Sequence, residues 1–304
     1  MVEEVYNQLD CETSEGIVNA TAEYIYGDTD SVFFKFTLLK DGVKLVGKDA
    51  LALTIELAKE TGQLATKFLK QPHELEYEKT FFPFILLSKK RYVGMLYEND
   101  TTHCSRKSMG IVLKRRDNAP IVKDVYGGLI DILMKDGNVS NAISFIREKV
   151  SELKSGQISL DKLIITKSLR SGYKKPLQMA HKVLADRIGK RDPGNKPKPG
   201  DRIRFVFVKT ISKKKQLQGE KIESPEFIKE HSLEPDYNHY ITNQLMKPIQ
   251  QVMELVLDTI PEFQERKKVM DIELLKLKRD LPEEKFLKKQ ETIRYKEVNR
   301  ILFE

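Results

Sequence analysis

The chain has 304 residues, with 53 lysines and arginines against 45 aspartates and glutamates, so its formal net charge is +8. Such a charge suits a polyanionic partner, although it also fits many other soluble proteins. No apolar run of about 18 residues or more is present, which excludes a membrane-spanning helix, and no signal peptide opens the chain. The two cysteines, Cys11 and Cys104, lack the spacing of a metal knuckle or a disulfide framework. We therefore expect a soluble protein of an intracellular, reducing compartment, with no membrane partner.

The first predicted elements are the end of a helix and a β-hairpin. Apolar residues at the start of the chain have the spacing of one helix face and predict the end of a helix; they are Val2, Val5, Tyr6 and Leu9. Aromatic and β-branched residues, which favour strands, then dominate the segments 23–26 and 31–36. Residues 27–30 separate these strands and are predicted to form the turn, with Gly27 supplying backbone freedom.

Two aspartates, Asp28 and Asp30, lie two residues apart at the tip of this hairpin. Residues i and i+2 of a strand point to the same face, so both carboxylates could bind one hard cation such as Mg²⁺. Aspartates are also common in turns for turn chemistry alone, and that interpretation stays open. Two unpaired negative charges between apolar strands would raise the free energy of the fold, however, unless a metal cation or a cationic side chain compensates them.

A run of cations follows an apolar strand later in the chain. Its sequence is Ser88-Lys89-Lys90-Arg91-Tyr92. Such a run is either a solvated cationic edge strand or a binding surface for phosphates. A carboxylate pair for a metal, combined with a basic-aromatic strand for phosphates, indicates nucleotidyl transfer on a nucleic acid.

The remaining pattern predicts an α+β protein that becomes mainly helical after about residue 118. Before that point we expect a helix capped by Asp49, followed by three short strands. The apolar face of this helix comprises Leu51, Ile55, Ala58, Ala65 and Phe68, and the strands are residues 74–78, 84–88 and 92–97. After residue 118 we expect one helix that begins at Ala119 and a second over 138–154, followed by a Pro/Gly/Lys loop near 191–201 and a strand over 202–208. Two further helices are predicted: one over 241–257 with a kink at Pro248, and a Lys/Glu-rich one over the last forty residues.

Four segments resemble, in this order, the motifs of B-family DNA polymerases. They are Tyr26–Ser31 (YGDTDS, motif C), Lys89–Tyr92 (KKRY), Gly110–Asp117 (the passage from palm to thumb) and Tyr240–Pro248 (a late thumb motif of the delta-like branch). Among these polymerases, the chain is most similar to those of large eukaryotic DNA viruses. The resemblance implies that residues 1–117 form the C-terminal part of a palm. Residues 118–304 would form a thumb with a small β-element near 191–208.

The resemblance also implies roles for individual residues. Asp30, and after it Asp28, would bind Mg²⁺ in a two-metal site that needs a further ligand from outside this chain. The remaining residues of motif C, namely Tyr26, Gly27, Thr29 and Ser31, would form its framework. The residues expected to contact DNA are Lys89, Lys90, Arg91, Tyr92, Arg115, Arg116, Lys174 and Lys175, with Lys196 and Lys198 as further thumb candidates. The thumb lysines can equally be ordinary surface charge, and we expect Asp117 to pair with an arginine.

The implied partners are primer–template DNA, deoxynucleoside triphosphates and an upstream polymerase fragment, with a processivity factor as a further candidate. The histidines lack ligand spacing, so no zinc site is expected. The implied location is the nucleus or a viral replication site.

Several parts of the family pattern do not occur in this sequence. The Asp-x-x-Ser-Leu-Tyr-Pro motif with the other metal-binding aspartate, the fingers helix and the exonuclease carboxylates are all missing. We therefore expect a piece of a split, intein-interrupted or truncated polymerase that is inactive, or nearly so, alone. A non-catalytic duplex-binding remnant is the alternative. A nucleotide-sugar transferase with an Asp-x-Asp motif is a second alternative, but it explains neither the basic strand nor the thumb-like region.

Overall fold

The computed structural model describes residues 2–114, 117–210 and 216–303, and of Lys114 only the backbone. The chain forms two compact units, Met1–Ile111 and Val112–Glu304. Their boundary lies close to the predicted division between residues 117 and 118. Both units mix helices with small antiparallel sheets, which confirms the α+β class. No helix within the described ranges is long and apolar enough to cross a membrane.

The first unit contains two antiparallel sheets and one long helix. Its elements are α1 (Val2–Val5), β1 (Leu9–Thr13), β2 (Gly16–Asp28), β3 (Ser31–Lys40), β4 (Val43–Lys44), α2 (Gly47–Thr66), β5 (Thr80–Ser88), β6 (Arg91–Tyr97) and β7 (Ser105–Met109). The strands β1 to β4 form one sheet in chain order, and β5 to β7 form the other. Short hairpin connections make neighbours in sequence neighbours in the sheet. The opening helix is shorter than predicted, because Leu9 already begins β1.

Helix α2 packs its apolar face on the first sheet. Leu53 and Leu57, both fully buried, lie in one core cluster with Val18, Ala20 and Leu38 of the strands. The prediction of this helix is confirmed, but two details were wrong. The helix is capped at Val46, so Asp49 lies inside its first turn, where a negative charge complements the helix dipole. Phe68 lies beyond the helix end and is 64% exposed.

The predicted strand at 74–78 does not form. Its Leu75 backbone N–H instead donates to the Thr66 side-chain oxygen of α2, at 2.9 Å. Gly62 of α2 allows this close approach, because a Cβ there would lie 2.9 Å from the Leu75 carbonyl oxygen. The strands predicted at 84–88 and 92–97 are confirmed within β5 and β6. Strand β7 was missed because its sequence, SRKSM, is polar and largely exposed.

The second unit is mainly helical and carries one small sheet. Its elements are α3 (Pro120–Lys135), α4 (Val139–Lys154), β8 (Ile165–Ser168), α5 (Ala180–Arg191), β9 (Arg202–Phe207), β10 (Ile222–Glu223), α6 (Pro225–Glu230), α7 (Tyr237–Tyr240), α8 (Met246–Val256), α9 (Pro261–Asp280) and α10 (Glu283–Leu302). The sheet has the order β10-β9-β8 and is antiparallel. Helices α3 and α4 and strand β9 confirm predictions, and α5 was not predicted.

Two helix predictions in this unit need correction. The predicted helix over 241–257 begins as a π-helical segment, Ile241–Leu245, before α8. Pro248 lies in the first turn of α8 and offers no N–H to the carbonyl four residues earlier, which disfavours a regular α-helix there. The last forty residues form two helices instead of one. Pro282 has no N–H to continue α9, and α10 begins directly after it.

Candidate active site

The predicted carboxylate turn lies at the tip of the β2–β3 hairpin. Asp28 pairs with Ser31, so Thr29 and Asp30 form the two-residue turn between the strands. Thr29 has a φ of +57°, and the Asp30 N–H donates to the Asp28 carbonyl oxygen at 2.7 Å. The Ser31 hydroxyl donates to the same carbonyl at 3.1 Å. Thr29 and Ser31 thus take part in the backbone and hydrogen bonds of the turn, and their role as a motif C framework stays a prediction.

Two expectations about this turn were wrong in detail. Gly27 does not supply the turn conformation, because it lies within β2 opposite Val32. Its small size matters instead: a Cβ at this position would lie 2.8 Å from the Tyr24 hydroxyl oxygen. The rule that residues i and i+2 share a strand face also does not apply, since Asp28 ends a strand while Asp30 belongs to the turn.

A β-bulge precedes the turn and orients Tyr26. Tyr24 is opposite Phe34 and Tyr26 is opposite Phe33, so Ile25 is the additional residue in β2. Bulges of this kind bend the strand and redirect side chains. Tyr26 is 8% exposed, and its ring lies 5.6 Å from that of Phe33, centroid to centroid.

The turn between β5 and β6, formed by Lys89 and Lys90 and called the basic turn below, contacts this hairpin directly. Ser88 pairs with Arg91, and Lys90 lies in the turn with a φ of +61°. The Lys90 backbone N–H donates to the Tyr26 hydroxyl oxygen at 2.8 Å. Its side-chain Nζ donates to Asp28 Oδ1 at 2.7 Å. Two motifs separated by about sixty residues are therefore joined through both backbone and side chain of one lysine.

This contact makes the two aspartates unequal. The hydrogen bond from Lys90 holds the pKa of Asp28 below its ordinary value, and the same bond raises the pKa of Lys90. The Asp28 side chain is 18% exposed and also accepts a hydrogen bond from the Thr29 hydroxyl at 3.2 Å. Asp28 is thus an ionised carboxylate with its counter-charge in place. Asp30 is exposed at the turn.

Aromatic rings pack between the two sheets behind the turns. Phe33 of β3 stacks on Phe84 and Phe81 of β5, with ring centroids 5.6 and 6.1 Å away, and it meets Tyr92 of β6 edge-on. Burial raises the pKa of the Tyr92 phenol. Such contacts add to the burial energy and fix ring positions. The ring of Tyr92 therefore supports the position of the basic turn, and its contact with DNA stays a prediction.

Gly110 is a supporting residue whose role is not visible in the sequence. It follows β7 with a φ of +61°, and a Cβ at this position would lie 2.1 Å from the Lys90 carbonyl oxygen. Only glycine fits both the backbone conformation and the available space. The signal was present, because Gly110 opens one of the four motifs, but sequence alone did not show which backbone it touches.

The remaining predicted DNA-contacting residues lie in different places. Lys89 is exposed in the same turn as Lys90, and Arg91 is half-buried in β6. Lys174 and Lys175 are exposed in the second unit, ahead of α5. Arg115 and Arg116 lie outside the described residues.

Tyr240, the first residue of the segment that resembles a late thumb motif, has a structural role. Its side chain is fully buried, and its hydroxyl donates to the Leu163 carbonyl at 2.7 Å and accepts from the Phe207 N–H at 3.1 Å. Burial raises the pKa of this phenol well above its ordinary value. The hydroxyl therefore satisfies two backbone groups that would otherwise lose a partner.

The donor set at the turn suits part of a magnesium site. Asp28 and Asp30 offer the hard carboxylate oxygens that Mg²⁺ prefers. Within the described residues, no three His, Cys, Asp or Glu side chains come together as a metal-binding group. A complete site would therefore need ligands beyond these two, such as water, nucleotide phosphates or a carboxylate from another polypeptide segment.

A family model, described as DNA polymerase family B, matches residues 1–256. The chain belongs to DNA polymerase family B. It is 49% identical over 292 residues to the DNA polymerase of Pyramimonas orientalis virus, covering 94% of this chain and 24% of that protein. It is 45% identical over 256 residues to the DNA polymerase of Acanthamoeba polyphaga mimivirus, covering 82% of this chain and 15% of that protein. The chain thus spans no more than about a quarter of these relatives.

Cellular and structural relatives agree with this assignment. The chain is 36% identical over 244 residues to the DNA polymerase delta catalytic subunit of Caenorhabditis elegans, covering 80% of this chain and 22% of that protein. The fold resembles the family B DNA polymerase from the hyperthermophilic archaeon Pyrobaculum calidifontis, with a TM-score of 0.51 at 23% identity. That match covers 76% of this chain and 26% of the archaeal one. The predicted likeness to viral and delta-type family B polymerases is confirmed.

Proposed function

We propose that this chain is the palm-tip and thumb portion of a DNA-directed DNA polymerase and takes part in template-directed DNA synthesis. The observation that carries the proposal is the pair of hydrogen bonds from Lys90 to Tyr26 and Asp28. They join the carboxylate turn to the basic turn, so the carboxylates that we propose as metal ligands lie beside the cations that we propose as phosphate contacts. Family membership supplies the reaction class. It also argues against the sugar-transferase alternative.

In this proposal each unit has its own task. The first unit would be the C-terminal part of the palm and the second the thumb. Primer–template DNA and deoxynucleoside triphosphates would be the substrates. An upstream polymerase fragment would be the protein partner, with a processivity factor as a further candidate. The work would take place in the nucleus or at a viral replication site.

The turn residues would divide the chemistry between them. Asp30 is exposed and would be the first metal ligand, while Asp28, already paired with Lys90, would be the second. Bound Mg²⁺ would lower the pKa of the primer 3′-hydroxyl and neutralise the triphosphate. The ammonium of Lys90 would keep Asp28 ionised and fix the basic turn. Lys89 and Arg91 would replace counterions at DNA phosphates next to the turn, as Lys174 and Lys175 would in the second unit.

Primer extension tests the proposal. The isolated chain with Mg²⁺ should incorporate little or no nucleotide. Adding an upstream fragment that carries the missing Asp-x-x-Ser-Leu-Tyr-Pro and fingers motifs should restore synthesis if the two pieces associate. In the assembled enzyme, Asp30→Ala should abolish synthesis, Asp28→Ala should reduce it less, and Asp49→Ala, in the first turn of α2, should leave it unchanged.

Two outcomes would contradict parts of the proposal. Robust synthesis by the isolated chain that Asp30→Ala abolishes would show that no upstream fragment is needed. An assembled pair that binds DNA with ordinary salt dependence but never incorporates nucleotide would favour the duplex-binding remnant instead.

A further inference from the structure

The outward face of helix α9 carries an apolar stripe. Val269, Ile272 and Leu275 lie three residues apart on this helix and are 71%, 57% and 61% exposed. Residues at this spacing are neighbours along one ridge of a helix, so the three side chains form a continuous strip. The buried residues of α9 are Phe263, Met270 and Leu274, and they lie on the opposite side. A helix that only covers the core of its own unit does not need this second apolar side.

Contacts on the inward side hold α9 in place. Phe263 of its first turn is fully buried. Lys267 Nζ lies 2.9 Å from Asp258 Oδ1, and the Glu262 carboxylate accepts from Arg147 Nη2 of α4 at 3.1 Å. The stripe is therefore presented by a helix whose position is already fixed, and a partner that binds it would not have to order this segment.

The charges at the two ends of the stripe are opposite in sign and symmetrically placed. Val269 and Leu275 each lie three residues from Ile272, and Glu265 and Arg279 each lie seven residues from it. Seven residues are about two helical turns, so all five side chains share the outward face. Glu265 and Arg279 are exposed, and neither is ion-paired within the described residues. The face is thus self-complementary about Ile272.

We propose that this face binds the same face of a second copy of the chain, with the two α9 helices antiparallel and a twofold axis at Ile272. In such an isologous contact, Val269 of each copy packs on Leu275 of the other. Glu265 of each copy then meets Arg279 of the other, which gives one ion pair at each end. A parallel arrangement would place Glu265 against Glu265 and Arg279 against Arg279, and repulsion between like charges disfavours it.

The size of the contact sets its strength. Three apolar side chains from each copy make a small interface, so we expect a weak dimer. Lys268 and Lys276 flank the stripe, and their long side chains can cover its margins while the ammonium groups reach solvent. Dimerisation is independent of the proposed polymerase activity, because α9 begins beyond residue 256, where the match to the family model ends.

Sedimentation velocity of the full chain, from low micromolar to millimolar concentration, tests the proposal. The wild type should pass from monomer to dimer over this range. Ile272→Glu should raise the dissociation constant by about tenfold or more, because two carboxylates would meet at the twofold axis. Leu177→Glu is the matched control, since Leu177 is 73% exposed in the same unit but lies outside α9. It should dimerise as the wild type does, and thermal unfolding should show all variants folded.

Charge and cross-linking variants test the orientation of the helices. Glu265→Arg and Arg279→Glu should each weaken dimerisation, and the double variant should regain most of the lost affinity. A Cys104→Ser background removes the exposed thiol. In this background, Ile272→Cys should form a disulfide-linked dimer on mild oxidation. Glu265→Cys should not, because its two copies would be roughly 21 Å apart along antiparallel helices.

Several results would overturn the proposal. They are a wild type that stays monomeric over the whole range, a dimer that Ile272→Glu leaves unchanged, and equal losses in Ile272→Glu and Leu177→Glu. Cross-linking at both cysteine positions would overturn the antiparallel arrangement. None of these results bears on primer extension, so failure of the dimer and failure of the proposed polymerase function can be told apart.

Discussion

Replacing Gly110 by alanine tests how the basic turn is held beside the carboxylates. The new Cβ would lie 2.1 Å from the Lys90 carbonyl oxygen and 3.1 Å from Arg91 Cγ. The first contact is far too short, and because it involves backbone, a side-chain rotation cannot relieve it. The turn must move, and movement of Lys90 lengthens its hydrogen bonds to Tyr26 and Asp28.

Two costs add up in this variant. A residue with a side chain in the left-handed region costs about 1–2 kcal/mol. Forcing an additional methyl group into a packed site costs about 1–3 kcal/mol more. The free energy of local unfolding around β5, β6 and β7 should therefore fall by about 2–5 kcal/mol.

Gly42→Ala provides a control in the same unit. Gly42 also has a positive φ, +77°, but a Cβ there would meet nothing within 4 Å. This variant should lose only about 1–2 kcal/mol from backbone strain. Hydrogen exchange measured by mass spectrometry gives both values as local opening free energies, from peptides that cover the Lys90 amide in one variant and from peptides that cover the β3–β4 turn in the other. Equal losses in the two variants would refute the argument that contact with Lys90 makes Gly110 necessary.

Two further predictions concern hydrogen bonds of single side chains. Tyr240→Phe keeps the ring but removes the hydroxyl that bonds the Leu163 carbonyl and the Phe207 N–H. The opening free energy of the second unit, measured by hydrogen exchange, should therefore fall by about 2–4 kcal/mol. The control Tyr24→Phe should be nearly neutral, because 49% of Tyr24 is exposed. Lys90→Ala should raise the pKa of Asp28 toward its ordinary value of 3.8, as measured by carboxyl NMR titration. Because the pKa of Asp28 is lowered in the folded protein, the contact with Lys90 stabilises the fold at pH values above 3.8. This stabilisation is lost as the pH falls through the lowered pKa. An unchanged pKa would refute the Lys90 contact.

Local signals in the sequence predicted much of the fold. Alternating and β-branched segments predicted β2, β3, β5, β6 and β9, and apolar residues at helical spacing predicted α2, α3 and α4. Strand β7 could not be found in this way, because Ser105–Met109 is held by pairing with β6 and not by an apolar face. The segment 74–78 failed for the opposite reason. It has a strand-like composition, but a side chain of α2 satisfies the Leu75 N–H.

The residues of the candidate site were predictable, but the geometry that joins them was not. The carboxylate pair and the basic run of residues 88–92 were both identified from residue type, and the resemblance assigned them to motifs. The run was expected in a strand, but Lys89 and Lys90 form the turn between β5 and β6. Their contact depends on Tyr26, Lys90 and Gly110, which are far apart in sequence and meet only through the packing of two sheets. Glycine and tyrosine gave no chemical signal for such contacts. In the same way, the lysine pairs Lys174 and Lys175, and Lys196 and Lys198, looked equivalent in the sequence. Only the fold shows that the second pair lines a cleft of the second unit and the first pair does not.

The structure finally changes what the Asp-x-Asp pattern means in this chain. The sequence presents two equivalent carboxylates that share one strand face. In the fold, Thr29 adopts a left-handed conformation that ends β2 at Asp28 and places Asp30 in the turn. Lys90 then neutralises Asp28, so a metal cation that binds there must compete with an existing ammonium group. Among the described residues, no cation is paired with the exposed Asp30 in this way. This argues physically for the order proposed here, with Asp30 as the first metal ligand and Asp28 both as the second and as the residue that holds the basic turn.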